Sequence, residues 1–312
     1  MDSSADIVVG CIAGLSFEQI APWVNSLERC GFQGRRVVIH LRTDPETIAE
    51  LNRRGCETYD ASILYAKADQ RFKKNSDPEE ISVNRFFYIW YFLSQIATGR
   101  PVRYLIATDV TDVLFQRNPS EWLERNLGDK RLLVGCESLP FEAEPWGAET
   151  MKACFGPHVW EAWRNNLIYN AGTIAGEFQT LVDVCLQVYF LAPGDRVLYS
   201  DQQALNLLLG SQVYREITLF ASSEDGWACQ AGTTADPKLL LEVRERLTGP
   251  EPTFDGEFVR TAAGEIFTIV HQYNRVPGWD TALKMKYGKL ATAAKSNRGT
   301  SWLGRLIPGG RP

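Results

Sequence analysis

The 312-residue sequence lacks the segments that mark membrane-spanning and secreted proteins. It contains no run of about eighteen apolar residues, the length that a membrane-spanning helix needs. The apolar segment from Ile7 to Leu15 is short, is broken by glycine, and follows Asp2 and Asp6 rather than basic residues. A secretory signal is therefore not expected. The formal net charge of −5 also lacks the basic surplus that is typical of nucleic-acid-binding proteins.

Paired cysteines are missing as well. The cysteines are odd in number and include no C-x-x-C pair, which disfavours a zinc site. Scattered cysteines of this kind are typical of buried thiols in a reducing compartment, so we expect a cytoplasmic protein. The seven positions are Cys11, Cys30, Cys56, Cys136, Cys154, Cys185 and Cys229.

The motifs of three common enzyme classes are absent. A nicotinamide dehydrogenase would carry G-x-G-x-x-G after its first strand, and the segment from Gly10 to Gly14 does not supply it. The G-x-S-x-G motif of serine hydrolases is missing. The G-x-x-x-x-G-K-[ST] motif of P-loop kinases is also missing. The sequence therefore argues against all three activities.

The sequence does contain a regular alternation of strand and helix patterns. Apolar runs predict strands at Ile7–Val9, Val37–His40 and Glu57–Tyr59, and helical spacing predicts helices over Phe17–Leu27 and Pro45–Gly55. This order is typical of β-α-β units, so we predict an α/β domain with a mostly parallel central sheet flanked by helices. No repeat and no linker divides residues 1–280, which favours a single domain.

Basic residues are concentrated at the C-terminus. Residues 281–312 contain seven Lys or Arg residues and no Asp or Glu, so residues 1–280 keep 26 basic and 38 acidic residues, a charge of about −12. This basic tail, which also contains Trp302 and Leu306, is of a composition that can bind an anionic membrane surface. Its glycines and prolines favour a disordered C-terminus equally well. Both interpretations of the tail stay open.

The most informative stretch is an apolar strand that ends in two aspartates. Residues 102–108 form the strand, and Asp109 and Asp112 follow it. Ligands bind beyond the carboxyl ends of strands in open parallel sheets. Two carboxylates there repel each other unless a cation lies beside them, and a hard divalent cation such as Mg²⁺ or Mn²⁺ suits oxygen ligands. The alternative makes Asp109 a turn residue and Asp112 a helix N-cap.

Two further segments place polar side chains at the ends of predicted elements. In Tyr169–Gly176, Asn170 and Gly172 stand where a strand meets a loop, and a glycine there permits close approach of a ligand. Asp201 and Gln202 begin a helix whose apolar residues follow. The alternative role for Asp201 is helix capping.

A late histidine and two arginines complete the candidate set. His271 follows the apolar strand predicted over Ile266–Val270, and a neutral imidazole can complete a carboxylate metal site. Arg275 follows four residues later. Arg85 lies near the start of an aromatic helix predicted over Glu79–Ala97. A guanidinium at either position is suited to a phosphate or a carboxylate.

Taken in order, these motifs resemble metal-dependent nucleotide-sugar glycosyltransferases of the GT-A fold, a Rossmann-like α/β fold. The likeness is carried by D-x-x-D after a strand, Y-N-A-G, D-Q-Q-A-L-N and the late histidine, and it is strongest to the family 8-like branch of glycogenin and galactosyltransferases. It spans roughly Ile7 to Trp279. The family's aspartates stand two apart, at the places of Val110 and Asp112, so Asp109 is displaced by one. Arg275 is the candidate to replace the lysine of the family's closing H-x-x-G-x-x-K-P-W segment.

The resemblance implies transfer of a hexose from a nucleotide-diphosphate sugar, UDP by default, to a saccharide or lipid-linked saccharide, with retention of configuration. It implies that Asp109, Asp112 and His271 bind Mn²⁺ or Mg²⁺. It places Asp201, Gln202 and Asn170 beside the donor sugar. The remaining donor contacts that it implies are Cys11, Ala13, Asp60, Arg85, Gly172 and Arg275.

Other functions stay open at this point. A sugar-nucleotide pyrophosphorylase shares the fold and the metal chemistry, but it would carry a basic glycine-rich loop where this chain has Leu15 to Glu18. A protein that binds a nucleotide sugar with little turnover is the non-catalytic alternative.

Two groups of residues have open roles in the acceptor half of such a site. Inversion would require a general base, and Glu137, Glu142 and Glu144 are candidates, although a solvated acidic loop is the favoured interpretation. Trp146, Trp160 and Trp163 offer a stacking surface for a sugar or, equally, core packing.

Overall fold

The computed structural model describes residues 6–62, 81–96, 101–197 and 199–288. The strands within these ranges are β1 (Ile7–Ala13), β2 (Arg35–Leu41), β3 (Cys56–Asp60), β4 (Tyr104–Thr108), β5 (Val113–Phe115), β6 (Leu132–Pro140), β7 (Leu167–Tyr169), β8 (Thr173–Glu177), β9 (Thr218–Ala221), β10 (Ala228–Gln230), β11 (Thr253–Phe254), β12 (Val259–Arg260) and β13 (Ile269–His271).

The helices within the same ranges are α1 (Phe17–Arg29), α2 (Pro45–Arg53), α3 (Ile81–Ile96), α4 (Pro119–Asn126), α5 (Pro145–Trp163), α6 (Phe178–Leu191), α7 (Asp201–Leu209), α8 (Gln212–Ile217), α9 (Ala231–Thr234), α10 (Pro237–Val243) and α11 (Pro277–Tyr287). The strands and helices predicted before residue 61 are confirmed, with ends that differ by a few residues. Residues 79, 80 and 97 of the predicted aromatic helix lie outside the described residues.

The central sheet has the strand order β3-β2-β1-β4-β8-β6-β7, and β9 also pairs with β6. The pairs β1–β2, β2–β3, β1–β4 and β6–β9 are parallel, whereas β8 runs antiparallel to both β4 and β6. Helices flank this mostly parallel sheet, which confirms the predicted α/β class. The exit ends of β1, β4 and β6 and the entry end of β8 therefore lie along one edge.

The core fills both faces of this sheet because successive side chains of a strand point to opposite faces. In β1, Ile7 and Val9 pack into a cluster that includes Phe86 and Tyr189 of α3 and α6. Val8 of the same strand packs on the other face in a cluster that includes Trp23 of α1. A parallel sheet that is covered on both faces in this way presents only its edges to solvent.

A second, smaller sheet has the order β10-β13-β5 and carries the other half of the candidate site. Because β13 runs antiparallel to β5, His271 pairs with Val113, the residue that follows Asp112. The last strand is shorter than predicted. It begins at Ile269 rather than Ile266, which forms only an isolated bridge with Arg260.

The C-terminal helix α11 packs against this second sheet. Leu283 and Tyr287 lie in one cluster with Leu114 of β5 and Val270 of β13. The Asn25 Nδ2 atom of α1 donates a hydrogen bond of 2.7 Å to the Tyr287 carbonyl oxygen. Residues 281–287, which the sequence assigned to the tail, thus belong to this helix, and residues 289–312 lie outside the described residues. None of the helices described here is long and apolar enough to cross a membrane.

Candidate metal and donor site

Three side chains of two sheets form a compact group of metal-ligating atoms. Asp109 follows β4, Asp112 precedes β5, and His271 ends β13. One ligand atom of each lies within 4.8 Å of the other two. The His271 Nε2 atom is 3.3 Å from Asp109 Oδ2 and 3.7 Å from Asp112 Oδ2. The turn between β4 and β5 therefore brings both aspartates to the histidine, although their spacing departs from that of the resembled family.

Gly172 makes room for this group. A Cβ atom at residue 172 would lie 2.5 Å from Asp109 Oδ2 and 2.9 Å from His271 Cε1, both well inside van der Waals contact. The Asp109 backbone N–H donates to the Gly172 carbonyl oxygen at 3.0 Å, which fixes the close approach. The sequence predicted that Gly172 permits a bound ligand to approach the backbone closely. In the structure, the atoms nearest to an added Cβ belong to Asp109 and His271, two of the candidate metal-binding residues.

Gln230 sets the orientation of the His271 ring. The Gln230 Nε2 atom donates to Thr173 Oγ1 at 2.9 Å, which leaves its Oε1 atom to accept from His271 Nδ1 at 2.8 Å. The lone pair of the neutral imidazole is then on Nε2, the atom that faces the two aspartates. Burial lowers the pKa of His271, so the neutral ring is favoured.

This donor set fits a divalent cation. The His271 Nε2 atom is buried, has no hydrogen-bond partner among the described residues, and directs its lone pair at two carboxylates. An acceptor atom that faces other acceptors is unfavourable unless a cation lies between them. An imidazole nitrogen with two carboxylate oxygens can hold Mn²⁺ or Mg²⁺, and the Gln230 contact is the kind of outer partner that orients metal-binding histidines.

Arg85 of α3 connects the metal group with the start of α7. Its guanidinium forms an ion pair with Asp109, and its Nη2 atom lies 2.7 Å from Asp201 Oδ2 and 3.2 Å from the Ala171 carbonyl oxygen. The side chains of Arg85 and Asp201 are only 12% and 8% exposed, so water screens their attraction weakly. Asp201 therefore serves as a partner of Arg85, and it is the first residue of the helix, whose N-cap is Ser200.

The carboxamide of Asn170 lies at the centre of a buried hydrogen-bond network. Its Nδ2 atom donates to Glu137 Oε1 at 2.7 Å and to Gln202 Oε1 at 3.2 Å, while its Oδ1 atom accepts from the Gly172 N–H at 2.6 Å. Glu137 is 5% exposed, and burial raises the pKa of its carboxyl group. The favoured interpretation of Glu137 as part of a solvated loop is therefore wrong. The contacts of Asn170 and Gln202 with a donor sugar stay a prediction.

A cavity of about 670 Å³ joins these groups. Arg275 lies on its wall, is exposed, and forms no ion pair with a carboxylate of the described residues. None of the described carboxylates neutralises its guanidinium, which makes Arg275 a candidate to bind an anion. The structure brings ten of the predicted site residues to this wall, and these are Cys11, Arg85, Asp109, Asp112, Asn170, Gly172, Asp201, Gln202, His271 and Arg275.

Two predicted donor contacts lie away from the cavity wall. Ala13 ends β1 beside the site, and Asp60 ends β3, two strands farther along the sheet. The Asp60 carboxylate accepts a hydrogen bond from the Ser62 N–H at 2.8 Å. The structure does not bring Ala13 or Asp60 into contact with the cavity, and their roles stay predictions.

The aromatic residues around the cavity divide by exposure. Trp146 and Tyr199 line the cavity and are 46% and 59% exposed, whereas Trp160 is buried in a separate cluster against which Trp163 packs. Sequence reasoning did not single out Tyr199. The signal in the sequence was its place two residues before Asp201. In the structure, Tyr199 adopts a left-handed conformation with φ of 56°.

Comparison with known proteins identifies the fold. No family model and no curated protein matches the sequence. Among solved structures, the chain is similar to the apo structure of WbbM, a bifunctional glycosyltransferase, with a TM-score of 0.55 and 12% identity over 91% of this chain and 50% of that chain. It is also similar to apo mouse xyloside xylosyltransferase 1, with a TM-score of 0.51 and 14% identity over 85% of this chain and 97% of that one.

The chain thus spans half of the length of the bifunctional enzyme and nearly the whole of the mouse enzyme. At this low identity the likeness concerns the fold. The GT-A architecture that the sequence resemblance implied is confirmed, and the chemistry must be argued from the site itself.

Proposed function

We propose that this chain is a metal-dependent glycosyltransferase. It moves a hexose from a nucleotide-diphosphate sugar, with UDP as the nucleotide, to a saccharide or lipid-linked saccharide, and it retains the anomeric configuration. The observation that carries the proposal is the convergence of Asp109, Asp112 and His271 within 4.8 Å at the wall of a large cavity. A fold found in two glycosyltransferases supports it.

The charges around the cavity suit a diphosphate leaving group. Asp109, Asp112 and His271 would hold Mn²⁺ or Mg²⁺, which supplies positive charge for the phosphates of the donor. Arg275, the exposed guanidinium on the wall, binds a phosphate oxygen and stabilises the negative charge that grows as the sugar–phosphate bond breaks. Arg85 forms an ion pair with Asp201 and so balances the charge of this carboxylate beside the sugar.

The polar residues of α7 and of the turn before β8 form the donor-sugar subsite. An oxocarbenium-like sugar gains stability from a nearby carboxylate, a role that suits Asp201. The Asn170 and Gln202 carboxamides bind sugar hydroxyls. Cys11, which lines the cavity at the end of β1, contacts the base or ribose. The same role for Ala13 and Asp60, which do not line the cavity, stays a prediction.

The basic tail suggests where the acceptor is found. Residues 289–312 carry five of the seven basic residues of the predicted tail and no acidic residue. We propose that the protein is cytoplasmic and binds the anionic inner face of a membrane through this segment, next to a lipid-linked acceptor.

The test begins with ligand binding. A thermal-shift screen of nucleoside diphosphates with and without Mn²⁺ should raise the melting temperature most with UDP and Mn²⁺ together, because ligands that bind the folded state stabilise it. A labelled UDP-hexose should then transfer its sugar to an acceptor.

The Asp112→Ala variant should lose about a hundredfold or more of this activity, because it removes a carboxylate that holds the cation. Asp129→Ala, at an exposed turn, is the matched control and should keep full activity. Activity that survives both Asp112→Ala and a chelator contradicts metal dependence. Nucleotide binding with no transfer to any acceptor favours the non-catalytic binding protein.

A further inference from the structure

Glu137 occupies an unusual position for a carboxylate that the metal group does not use. It lies in β6, lines the cavity, and is 5% exposed. The residue after it, Ser138, adopts a left-handed conformation with φ of 58°, and the pairing of β6 with β7 shifts register between Cys136 and Pro140. Irregularities of this kind often redirect a side chain beside a functional site. The strand is therefore distorted where it turns a carboxylate into the cavity.

The backbone around Glu137 is anchored. Thr233 Oγ1 donates to the Glu137 carbonyl oxygen at 2.9 Å, and the Thr248 N–H donates to the Ser138 carbonyl oxygen at 2.8 Å. Glu137 thus extends from a fixed support. A carboxylate held in this way can fix the position of a neighbouring loop.

That neighbouring loop is the turn between β7 and β8. The Glu137 Oε1 atom accepts from Asn170 Nδ2 at 2.7 Å, and with that amide nitrogen held, Asn170 Oδ1 accepts from the Gly172 N–H at 2.6 Å. The Gly172 carbonyl oxygen in turn accepts from the Asp109 N–H at 3.0 Å. An unbroken chain of hydrogen bonds therefore runs from Glu137 to a candidate metal ligand.

We propose that Glu137 is a positioning residue whose acceptor oxygen orders the Asn170–Gly172 turn and, through it, the metal group. It acts through Asn170 and needs no contact with the cation or the reacting atoms. The part of this inference that concerns the turn stands on the hydrogen bonds alone, and the part that concerns the metal rests on the proposed function. Burial raises the pKa of Glu137, and the hydrogen bonds from Asn170 and Gln202 oppose that shift, as expected for a carboxylate held by its neighbours.

Hydrogen–deuterium exchange of a peptide that covers residues 169–173 tests the first part without any ligand. In Glu137→Ala the Gly172 amide should exchange about tenfold faster, because Asn170 loses the acceptor that holds its carboxamide. Glu137→Gln keeps an acceptor oxygen and should exchange at the wild-type rate. Glu149→Ala, an exposed carboxylate on α5, is the control for loss of one negative charge.

Manganese binding to the same folded proteins, followed by electron paramagnetic resonance of free Mn²⁺, tests the second part. The affinity should fall about ten- to a hundredfold in Glu137→Ala, the usual cost of losing an outer partner of a metal site, and should be restored in Glu137→Gln. Unchanged exchange in Glu137→Ala, or equally fast exchange in Glu137→Gln, overturns the positioning role. Faster exchange with unchanged Mn²⁺ affinity overturns the coupling to the metal group. If the wild-type protein binds no Mn²⁺, the proposed function fails, and the exchange data still decide the role of Glu137.

Discussion

The candidate metal group leaves no room at residue 172 for a side chain larger than that of glycine. The distances from an added Cβ to Asp109 Oδ2 and His271 Cε1 are 2.5 and 2.9 Å. Neither neighbour can retreat easily, since Asp109 is ion-paired with Arg85 and His271 is hydrogen-bonded to Gln230. A methyl group must therefore displace at least one candidate ligand.

We expect Gly172→Ala to lower the affinity for Mn²⁺ by about tenfold or more, because even small displacements of ligands weaken a metal site. Titration of Mn²⁺ by calorimetry measures the effect. Gly278→Ala is the matched control, because an added Cβ there meets no atom within 4 Å. Equal affinities in the two variants would show that Asp109 and His271 do not bind the cation together.

At this scale the sequence identified residues whose type alone points to chemistry. Asp109, Asp112 and His271 follow or precede apolar strands, and the family resemblance, rather than the strand pattern, implied the proximity that the structure shows. Gln230 gave no comparable signal, and Glu137 was named only as one of three candidate general bases. Each is a single polar residue in a buried strand, and its importance depends on a partner far away in sequence.

At the scale of elements, strand and helix types were predictable where apolar runs alternate regularly with segments of helical spacing. The predicted strands of residues 7–9, 37–40 and 57–59 became β1, β2 and β3. The strands β5 and β10 have three residues each, too few for periodicity to distinguish them from loops. The direction of β8 could not be predicted either, because parallel and antiparallel strands show the same apolar run in the sequence.

The helix α11 is the element whose role differs most from expectation, and its packing gives a prediction. Leu283→Ala should lower the free energy of unfolding by about 2–5 kcal/mol, because Leu283 is fully buried against β5 and β13. Chemical denaturation measures this change. Met285→Ala in the same helix should change stability by no more than about 0.5 kcal/mol, since Met285 is 62% exposed.

A similar small effect of both substitutions would mean that α11 does not pack on the second sheet. A large loss in Leu283→Ala alone would place the folded boundary of the domain near residue 287. The cluster also connects this helix to β13, which carries His271, and to β5, which follows Asp112.

At the scale of the whole molecule, charge is separated along the chain. Residues 1–280 carry about −12, whereas the remaining residues carry seven positive charges and no negative ones. The body should therefore be repelled by an anionic membrane, and any attraction must come from the basic tail.

We expect deletion of residues 289–312 to reduce binding to anionic vesicles by about a hundredfold or more, since each basic residue near such a surface contributes about 1 kcal/mol. Co-sedimentation with vesicles of anionic and of neutral lipids measures the partition. A full-length protein in which the five basic residues Lys289, Lys295, Arg298, Arg305 and Arg311 are changed to Gln separates charge from length. Equal partition of all three proteins rules out tail-mediated membrane binding.

The fold class could be predicted from the sequence because an alternation of strands and helices is compatible with few arrangements. The meeting of the two sheets at one site could not, since it depends on how β13 returns to pair with β5 after more than a hundred residues of intervening chain.

The reversed direction of β8 has a practical consequence. The first residue of β8, Thr173, pairs with Thr108 at the edge of the sheet that carries the candidate metal group. Its last residue, Glu177, pairs with Tyr104 at the opposite, far edge. The exposed bend at Gly128 and Asp129 enters β6 from that same far edge. A fluorophore or an inserted peptide at this bend would sit a full strand length from the cation group, which makes it a suitable place to tether or label the protein without disturbing its chemistry.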